Sequence, residues 1–209
     1  METLISQLQE HINYVILSFF IVLLALLKDV LIKICKKIKL NKELDIEKIT
    51  QKDTFINEIL SEIRIKSDAA RCYILKFHNG DYYSNGTPIV KFSMTHESCS
   101  LGISHYVDHT QNYLLSSYSG INDLLKSNKN IILTSEMKEC NFKGYLQEKN
   151  TLALFSFPIR SHKNSGNVIA IFCIEWCSPS KINNINKNSI IEIKEKYAGI
   201  LQNLVNKHQ

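Results

Sequence analysis

An uncharged apolar run near the N-terminus limits what the start of this chain can be. Residues 14–27 read YVILSFFIVLLALL, with one serine as the only markedly polar residue. Fourteen helical residues rise about 21 Å, which is short of a hydrocarbon core of about 30 Å. The apolar character extends over residues 12–34, and Lys28 and Asp29 can snorkel or pair near the interface. We therefore expect one transmembrane helix here, although a buried core helix or a monotopic helix competes with it.

The charges that flank this run predict its orientation. No Lys or Arg precedes it, whereas five lysines lie from Lys28 to Lys39. The positive-inside rule then places the C-terminal domain in the cytoplasm, and the lysines favour anionic lipid heads. Cys35 within this basic flank is either an unmodified thiol or an acylation site. Residues 1–40 are thus predicted to be a single-pass membrane anchor, and a cleaved signal is not expected.

Residues 41–70 are predicted to form a connecting amphipathic helix. Apolar residues recur at intervals of three or four residues and form a ladder along one side of the helix. Asp53 occupies the position where one more apolar residue would complete this ladder. The ladder fits two interpretations, a helix packed on its own domain and a parallel coiled coil that joins two chains. Its members are Ile46, Ile49, Ile56, Leu60 and Ile63.

Charge and cysteine usage exclude several classes of protein. The net charge is +5, and only three of the 25 basic residues are Arg, so a nucleic-acid interface is not expected. The six cysteines are scattered and form no C-x-x-C pair, which argues against a zinc ribbon or a disulfide scaffold. We expect them to be reduced thiols, most of them buried.

Residues 71–209 are predicted to form an α+β domain with an antiparallel sheet flanked by helices. The first strand should stop at a turn on Asn79-Gly80, and Asn85-Gly86 should lie in the following loop. Residues 113–127 should be helical, and LALFSFPIR and NVIAIFCIEW should form a central hairpin. A closing helix should span residues 189–208, with Ser189 as its cap. The first and last helices should cover one face of the sheet.

Two parts of this domain carry a resemblance to a known family. The hairpin FPIRSHKNSGNVIAIFCIEW is similar to the last two strands of GAF domains, with matching residues at Phe157, Pro158, Ile159, Gly166 and 168–171. The front, FHNG…NGTPIVKFSMTHE, resembles an FHNG-type GAF-like subgroup of bacterial and phage proteins, several of them membrane-anchored. The resemblance implies a domain that binds a small molecule or nothing, and that dimerises through its flanking helices. It names no cofactor, since signatures for cyclic nucleotides or bilins are not recognisable.

Polar side chains at the ends of the first two strands predict a ligand site. His78, Asn79 and Asp81 end the first strand, and Lys91, Thr95 and Glu97 lie on the second. Loops that follow strand ends often build pockets, so these groups should bind a polar ligand. The competing interpretation is a plain turn at Asn79-Gly80 capped by His78.

Other chemistry-bearing residues give weaker signals. His105 and His109 would share one face of a helix, which is too little for a metal site, and none is expected. Cys99 or Cys140 would need His96 or His105 as an activator to act as a nucleophile. Four tyrosines could line a pocket over the sheet, namely Tyr82, Tyr83, Tyr106 and Tyr113.

Three functional hypotheses follow from the sequence. The first is a membrane-anchored, cytoplasmic, GAF-like signalling module that binds a ligand and forms a homodimer. The second is a membrane-tethered structural or interaction module without a ligand. The third, an enzyme that acts through His78, Glu97 or a cysteine, is not expected, because nucleotide-hydrolase and α/β-hydrolase motifs are missing.

Overall fold

A computed structural model describes residues 14–30, 32–33, 46–126, 131–162 and 166–206. The chain divides into two compact units, Met1–Ile49 and Thr50–Gln209. In the first unit, residues 14–30 form helix α1, and its side chains are exposed. Within the described ranges, no helix combines the length and apolarity needed to cross a bilayer. The predicted span extends beyond these ranges at residues 12, 13, 31 and 34, and Cys35 and Lys36 to Lys39 lie outside them.

The second unit is built around one six-stranded antiparallel sheet, which confirms the predicted α+β class. The strand order is β3-β2-β1-β6-β5-β4, so the first and last strands of the chain lie side by side at the centre. The strands are β1 (Arg71–Tyr82), β2 (Pro88–Cys99), β3 (Tyr113–Leu114), β4 (Ile132–Leu133), β5 (Ala153–Arg160) and β6 (Val168–Trp176). The helices are α2 (Ile46–Lys66), α3 (Ile121–Lys126), α4 (Asn141–Glu148), α5 (Pro179–Asn183) and α6 (Lys187–Asn206).

The two faces of the sheet carry separate apolar cores. The α2–α6 core packs these two helices against β5, β6 and one face of β1, and it includes Leu60, Ile74, Trp176 and Tyr197. The α3–α4 core lies on the other face. Its buried members are Tyr73, Leu75, Phe92, Met94, Ile121, Leu124, Phe142, Tyr145, Leu146, Leu154, Ile171 and Cys173. Alternation along β1 and β6 supplies both cores, because successive side chains of a strand point to opposite faces.

The predicted covering of one sheet face by the first and last helices of the domain is confirmed. Ile56, Leu60 and Ile63 of α2 and Tyr197 and Leu201 of α6 are buried in the α2–α6 core. Each of these sets recurs at intervals of three or four residues, which places its members on one side of a helix.

The turn between β1 and β2 differs from the prediction. β1 continues through Asn79-Gly80 to Tyr82, and the hairpin turns at Asn85-Gly86 instead. Gly86 has a φ of 78°, and its backbone N–H donates to the carbonyl of Tyr83. A positive φ is readily adopted by glycine, so the second Asn-Gly pair can form the turn, while the pairing of Asn79 with Val90 keeps the first pair within the strand.

Two helices also differ from their predicted bounds. Residues 113–127 were expected to be one helix, but Tyr113 and Leu114 pair with β2, and α3 begins only at Ile121. α6 begins at Lys187, two residues before the predicted cap Ser189. Its N-terminal cap is Asn186, whose side-chain oxygen accepts from the backbone N–H of residues 188 and 189.

The apolar ladder of α2 packs on its own domain. Ile56, Leu60 and Ile63 are buried in the α2–α6 core, whereas Ile46 is exposed. Three of the five side chains that a coiled coil would place in its seam are thus already buried against the sheet. The connecting helix is part of the fold of the second unit from Thr50 onward.

The cysteines within the described ranges are free thiols, as expected. Cys72 and Cys173 are buried, whereas Cys99, Cys140 and Cys177 are partly exposed. Fewer of these thiols are buried than predicted, because Cys99 and Cys177 lie where a strand ends and the chain turns to the surface.

Candidate functional site

A cleft lies on the α2 side of the sheet where β2 is irregular. Its volume is about 350 Å³, within the range of small-molecule sites. We call it the His96 cleft. It is lined by Asp53, Ile56, Lys76, Met94, Thr95, His96, Val107, Gln111 and Val205.

A β-bulge shapes the floor of the His96 cleft. Ile74 pairs with His96 and the next residue, Leu75, pairs with Met94, so Thr95 is the extra residue in β2. Bulges bend a strand and re-aim its side chains, and they occur often beside functional sites. Here the bulge lets Met94 face the α3–α4 core while His96 faces α2.

His96 links two elements of the cleft. Its Nε2 lies 3.1 Å from Asp53 Oδ1 on α2, and its Nδ1 lies 3.0 Å from Thr95 Oγ1. Burial lowers the pKa of His96, and Asp53 opposes this shift while Lys52 and Lys76 add to it. The neutral imidazole is therefore favoured near neutral pH.

Lys76 supplies a half-buried ammonium to the same cleft. It follows Cys72 and Ile74 on the face of β1 that packs against α2 and α6. Burial lowers the pKa of Lys76. Within the described part of the chain, no carboxylate forms an ion pair with it.

The loop after β2 closes the cleft at the edge of the sheet. Gln111 Nε2 donates to the carbonyl of Met94 at 2.8 Å, and the backbone N–H of Met94 donates to the carbonyl of Thr110 at 2.8 Å. These contacts give hydrogen-bond partners to the backbone N–H and carbonyl of Met94, at the strand edge where β3 no longer pairs with β2. Backbone contacts thus hold the polar side of the cleft in place at this edge.

The structure does not bring the six predicted site residues together. His78, Asn79, Asp81 and Lys91 lie in the outer half of the β1–β2 hairpin, where His78 Nε2 contacts Ser93 Oγ at 2.9 Å. Lys91 and Glu97 lie six positions apart along the strand, which is about 20 Å. Of the six, only Thr95 lines the His96 cleft.

Glu97 belongs instead to a buried ionic cluster. Its Oε1 lies 3.0 Å from Arg71 Nε, and its Oε2 accepts from the backbone N–H groups of Tyr106 and Val107. His105 Nδ1 lies 3.4 Å from the same oxygen. Glu97 therefore anchors the loop after β2 and is not free to bind a ligand.

Glu175 is the centre of this cluster. It forms ion pairs with Arg71 at 2.6 Å and Lys149 at 2.8 Å, and it accepts from Tyr73 and Thr151. Burial alone would raise the pKa of Glu175, but the two cations outweigh it and hold the pKa below its usual value. Two acids and two bases make the cluster formally neutral, as burial of charge requires.

Cys99 is the residue on which both a nucleophile and a metal site can be tested. Donor atoms of Glu97, Cys99 and His105 lie within 4.8 Å of one another. Burial, with a contribution from Glu97, raises the pKa of Cys99 to about 11, so the thiol is not an activated nucleophile. His105 and His109 do not share a helical face, because this stretch is not helical.

The predicted tyrosine pocket is divided between core and surface. Tyr113 packs with Phe92, Tyr118 and Tyr145 in or beside the α3–α4 core. Tyr82 and Tyr83 are exposed on the hairpin. Aromatic side chains therefore fill the space on this face of the sheet.

Sequence reasoning missed the groups that meet in the His96 cleft. Asp53 and His96 lie 43 residues apart, and no local pattern around either residue pairs it with the other. The available signal was Asp53 itself, a charged residue in an apolar ladder. Lys76 gave a similar signal, as a charge on an otherwise apolar strand face.

Comparisons with known proteins identify the fold. No family model matches the sequence, and no curated protein matches it significantly. The structure is similar to a phycoerythrobilin-bound GAF domain from a cyanobacterial phytochrome, with a TM-score of 0.53, 12% identity, and coverage of 87% of this chain and 97% of that one. It is also similar to the GAF domain region of a candidate membrane protein from Geobacter sulfurreducens, with a TM-score of 0.50, 13% identity, and coverage of 77% and 96%. At these identities the similarity establishes a GAF-like fold.

Proposed function

We propose that this protein is a non-enzymatic sensory module that binds a small polar molecule in the His96 cleft. The observation that carries the proposal is a cleft of about 350 Å³ in which Asp53, Lys76 and His96 meet. Pockets with a few convergent polar groups on mostly apolar walls are typical ligand sites. The GAF-like fold supports this assignment by analogy.

Asp53 connects the His96 cleft to helix α2, on which it lies. A ligand that binds His96 in place of Asp53 breaks the contact between His96 Nε2 and Asp53 Oδ1, which joins the bulged part of β2 to α2. Because α2 begins at Ile46 and runs into the second unit, this change acts on the helix that follows the N-terminal segment. We infer that ligand binding is signalled through α2.

The N-terminal segment is proposed to anchor this module to a membrane. The uncharged run of residues 14–27 and the lysines that follow it support an anchor with the C-terminal domain in the cytoplasm. The outer faces of α2 and α6 are proposed to form a homodimer, because Phe55, Ile65, Ile191 and Ile200 are exposed there.

A ligand-free interaction module is the second candidate. It is favoured by the aromatic filling of the α3–α4 face, where Phe92, Phe142 and Tyr145 are buried. In that case the His96 cleft would hold solvent only.

Native mass spectrometry of the full chain, purified from cells in a non-ionic detergent, tests the proposal. We expect the wild type to carry a bound small molecule that the cleft-filling variant Val107→Trp lacks. Leu101→Trp is the matched control, because Leu101 is fully exposed in the same loop and does not line the cleft. A wild-type protein without bound mass would favour the ligand-free candidate, and equal loading of Val107→Trp would contradict binding in the His96 cleft.

A further inference from the structure

The charged side chains that line the His96 cleft indicate the chemical class of its ligand. We propose that its ligand is an anion whose carboxylate or phosphate oxygens pair with Lys76. This inference rests on the proposed function, because it assigns the ligand class of the same cleft.

Lys76 occupies a position where the fold otherwise uses apolar side chains. Cys72 and Ile74 precede it on the same face of β1 and are fully buried in the α2–α6 core. A half-buried ammonium loses part of its hydration, and this costs free energy unless an anion compensates it. The cleft is the place where such an anion can approach.

The described part of the chain does not itself supply that anion. Among the described residues, Asp53 is the one carboxylate that lines the cleft, and its Oδ1 contacts His96 rather than Lys76. Lys52 lies close enough to His96 to act on its titration in the same direction as Lys76. The charge in the cleft that needs a partner is therefore the ammonium of Lys76.

A neutral donor can complete the coordination of an oxyanion. The Thr95 hydroxyl lines the cleft beside Lys76, whereas the Gln111 amide nitrogen already donates to the carbonyls of Met94 and Val107. Ile56, Val107 and Val205 supply apolar side chains to its lining, which suit the short carbon skeleton of an organic acid. A soluble acid and an anionic lipid headgroup present the same oxyanion chemistry.

Titration of the full chain in non-ionic detergent with inorganic phosphate, and separately with acetate, tests the inference at constant ionic strength. We expect at least one anion to raise the thermal midpoint and the pKa of His96 measured by NMR. Lys76→Met should weaken binding at least tenfold, and Lys76→Arg should retain it. Lys138→Met is the control, because Lys138 is an exposed lysine outside the cleft. Vesicles of phosphatidylcholine with and without phosphatidic acid distinguish a lipid source from a soluble one.

The outcomes separate the two proposals. Equal anion binding by wild type and Lys76→Met, or no response to any anion, would overturn the anion assignment. A bound mass that Val107→Trp loses and Lys76→Met keeps would retain the cleft as a ligand site while rejecting an anion. If Val107→Trp and Lys76→Met both kept the bound mass, the proposed function itself would be rejected.

Discussion

At the residue scale, the most demanding feature is the charge buried around Glu175. Its carboxylate, the Arg71 guanidinium and the Lys149 ammonium are almost completely withdrawn from water. Lys149 also lies 4.2 Å from the ring centre of Tyr73 and 4.6 Å from that of Tyr145. Such a cluster is stable only while each charge keeps its partner.

Glu175→Gln should destabilise the protein by about 3–5 kcal/mol, because it leaves the buried Lys149 ammonium without its carboxylate. Urea unfolding of the full chain in detergent measures the change. Glu139→Gln is the control, since Glu139 pairs with Lys143 but is 85% exposed, and its loss should cost less than about 1 kcal/mol. A similar small loss in both variants would contradict the expected dependence on burial.

Asp53→Asn should lower the pKa of His96 further, because Asp53 is the group that favours the protonated imidazole. The pKa of His96 already lies below its unfolded value, so stability should fall as the pH drops from about 6.5 through the folded pKa. NMR titration of the His96 ring measures the shift. Asp123→Asn, on the exposed side of α3, should leave the titration of His96 unchanged.

At the element scale, the β1–β2 hairpin illustrates how alike two local signals can be. Both Asn79-Gly80 and Asn85-Gly86 are hairpin dipeptides, yet only the second forms the turn. The pairing of Asn79 with Val90 keeps the first pair within the strand. Long-range pairing therefore selected between two signals that the sequence left equivalent.

Gly86→Ala should destabilise the hairpin by about 1 kcal/mol, because alanine is strained at a φ of 78°. Gly80→Ala is the matched variant, and it should cost less, since its added methyl group meets only the flexible side chain of Lys91. Thermal unfolding of both variants gives the comparison. A larger loss of stability for Gly80→Ala than for Gly86→Ala would contradict the assignment of the backbone strain to Gly86.

At the scale of the whole molecule, the sheet of the second unit separates two roles. The α2–α6 face carries the His96 cleft, and the α3–α4 face is filled by aromatic side chains. The central β1–β6 pair supplies residues to both. Under the proposed function, ligand chemistry and aromatic packing thus lie on opposite faces of one sheet.

The full chain should sediment with membranes after ultracentrifugation of lysed cells, and detergent but not high salt should release it. Leu23→Lys combined with Phe19→Lys should move it to the supernatant, because charges are costly within a hydrocarbon core. Leu101→Lys is the control outside this run. A wild-type chain that stays in the supernatant without detergent would contradict the proposed anchor.

Local pattern by itself determined the class of this fold. Two strand-like apolar runs predicted β5 and β6, and helical spacing predicted α2 and α6. Both were confirmed because each pattern depends on neighbours in the chain. Only the tertiary structure decided which polar residues meet. Asp53 reaches His96 and Glu175 reaches Arg71 across 43 and 104 residues, and contacts at such separations are set by strand order and a bulge rather than by local spacing.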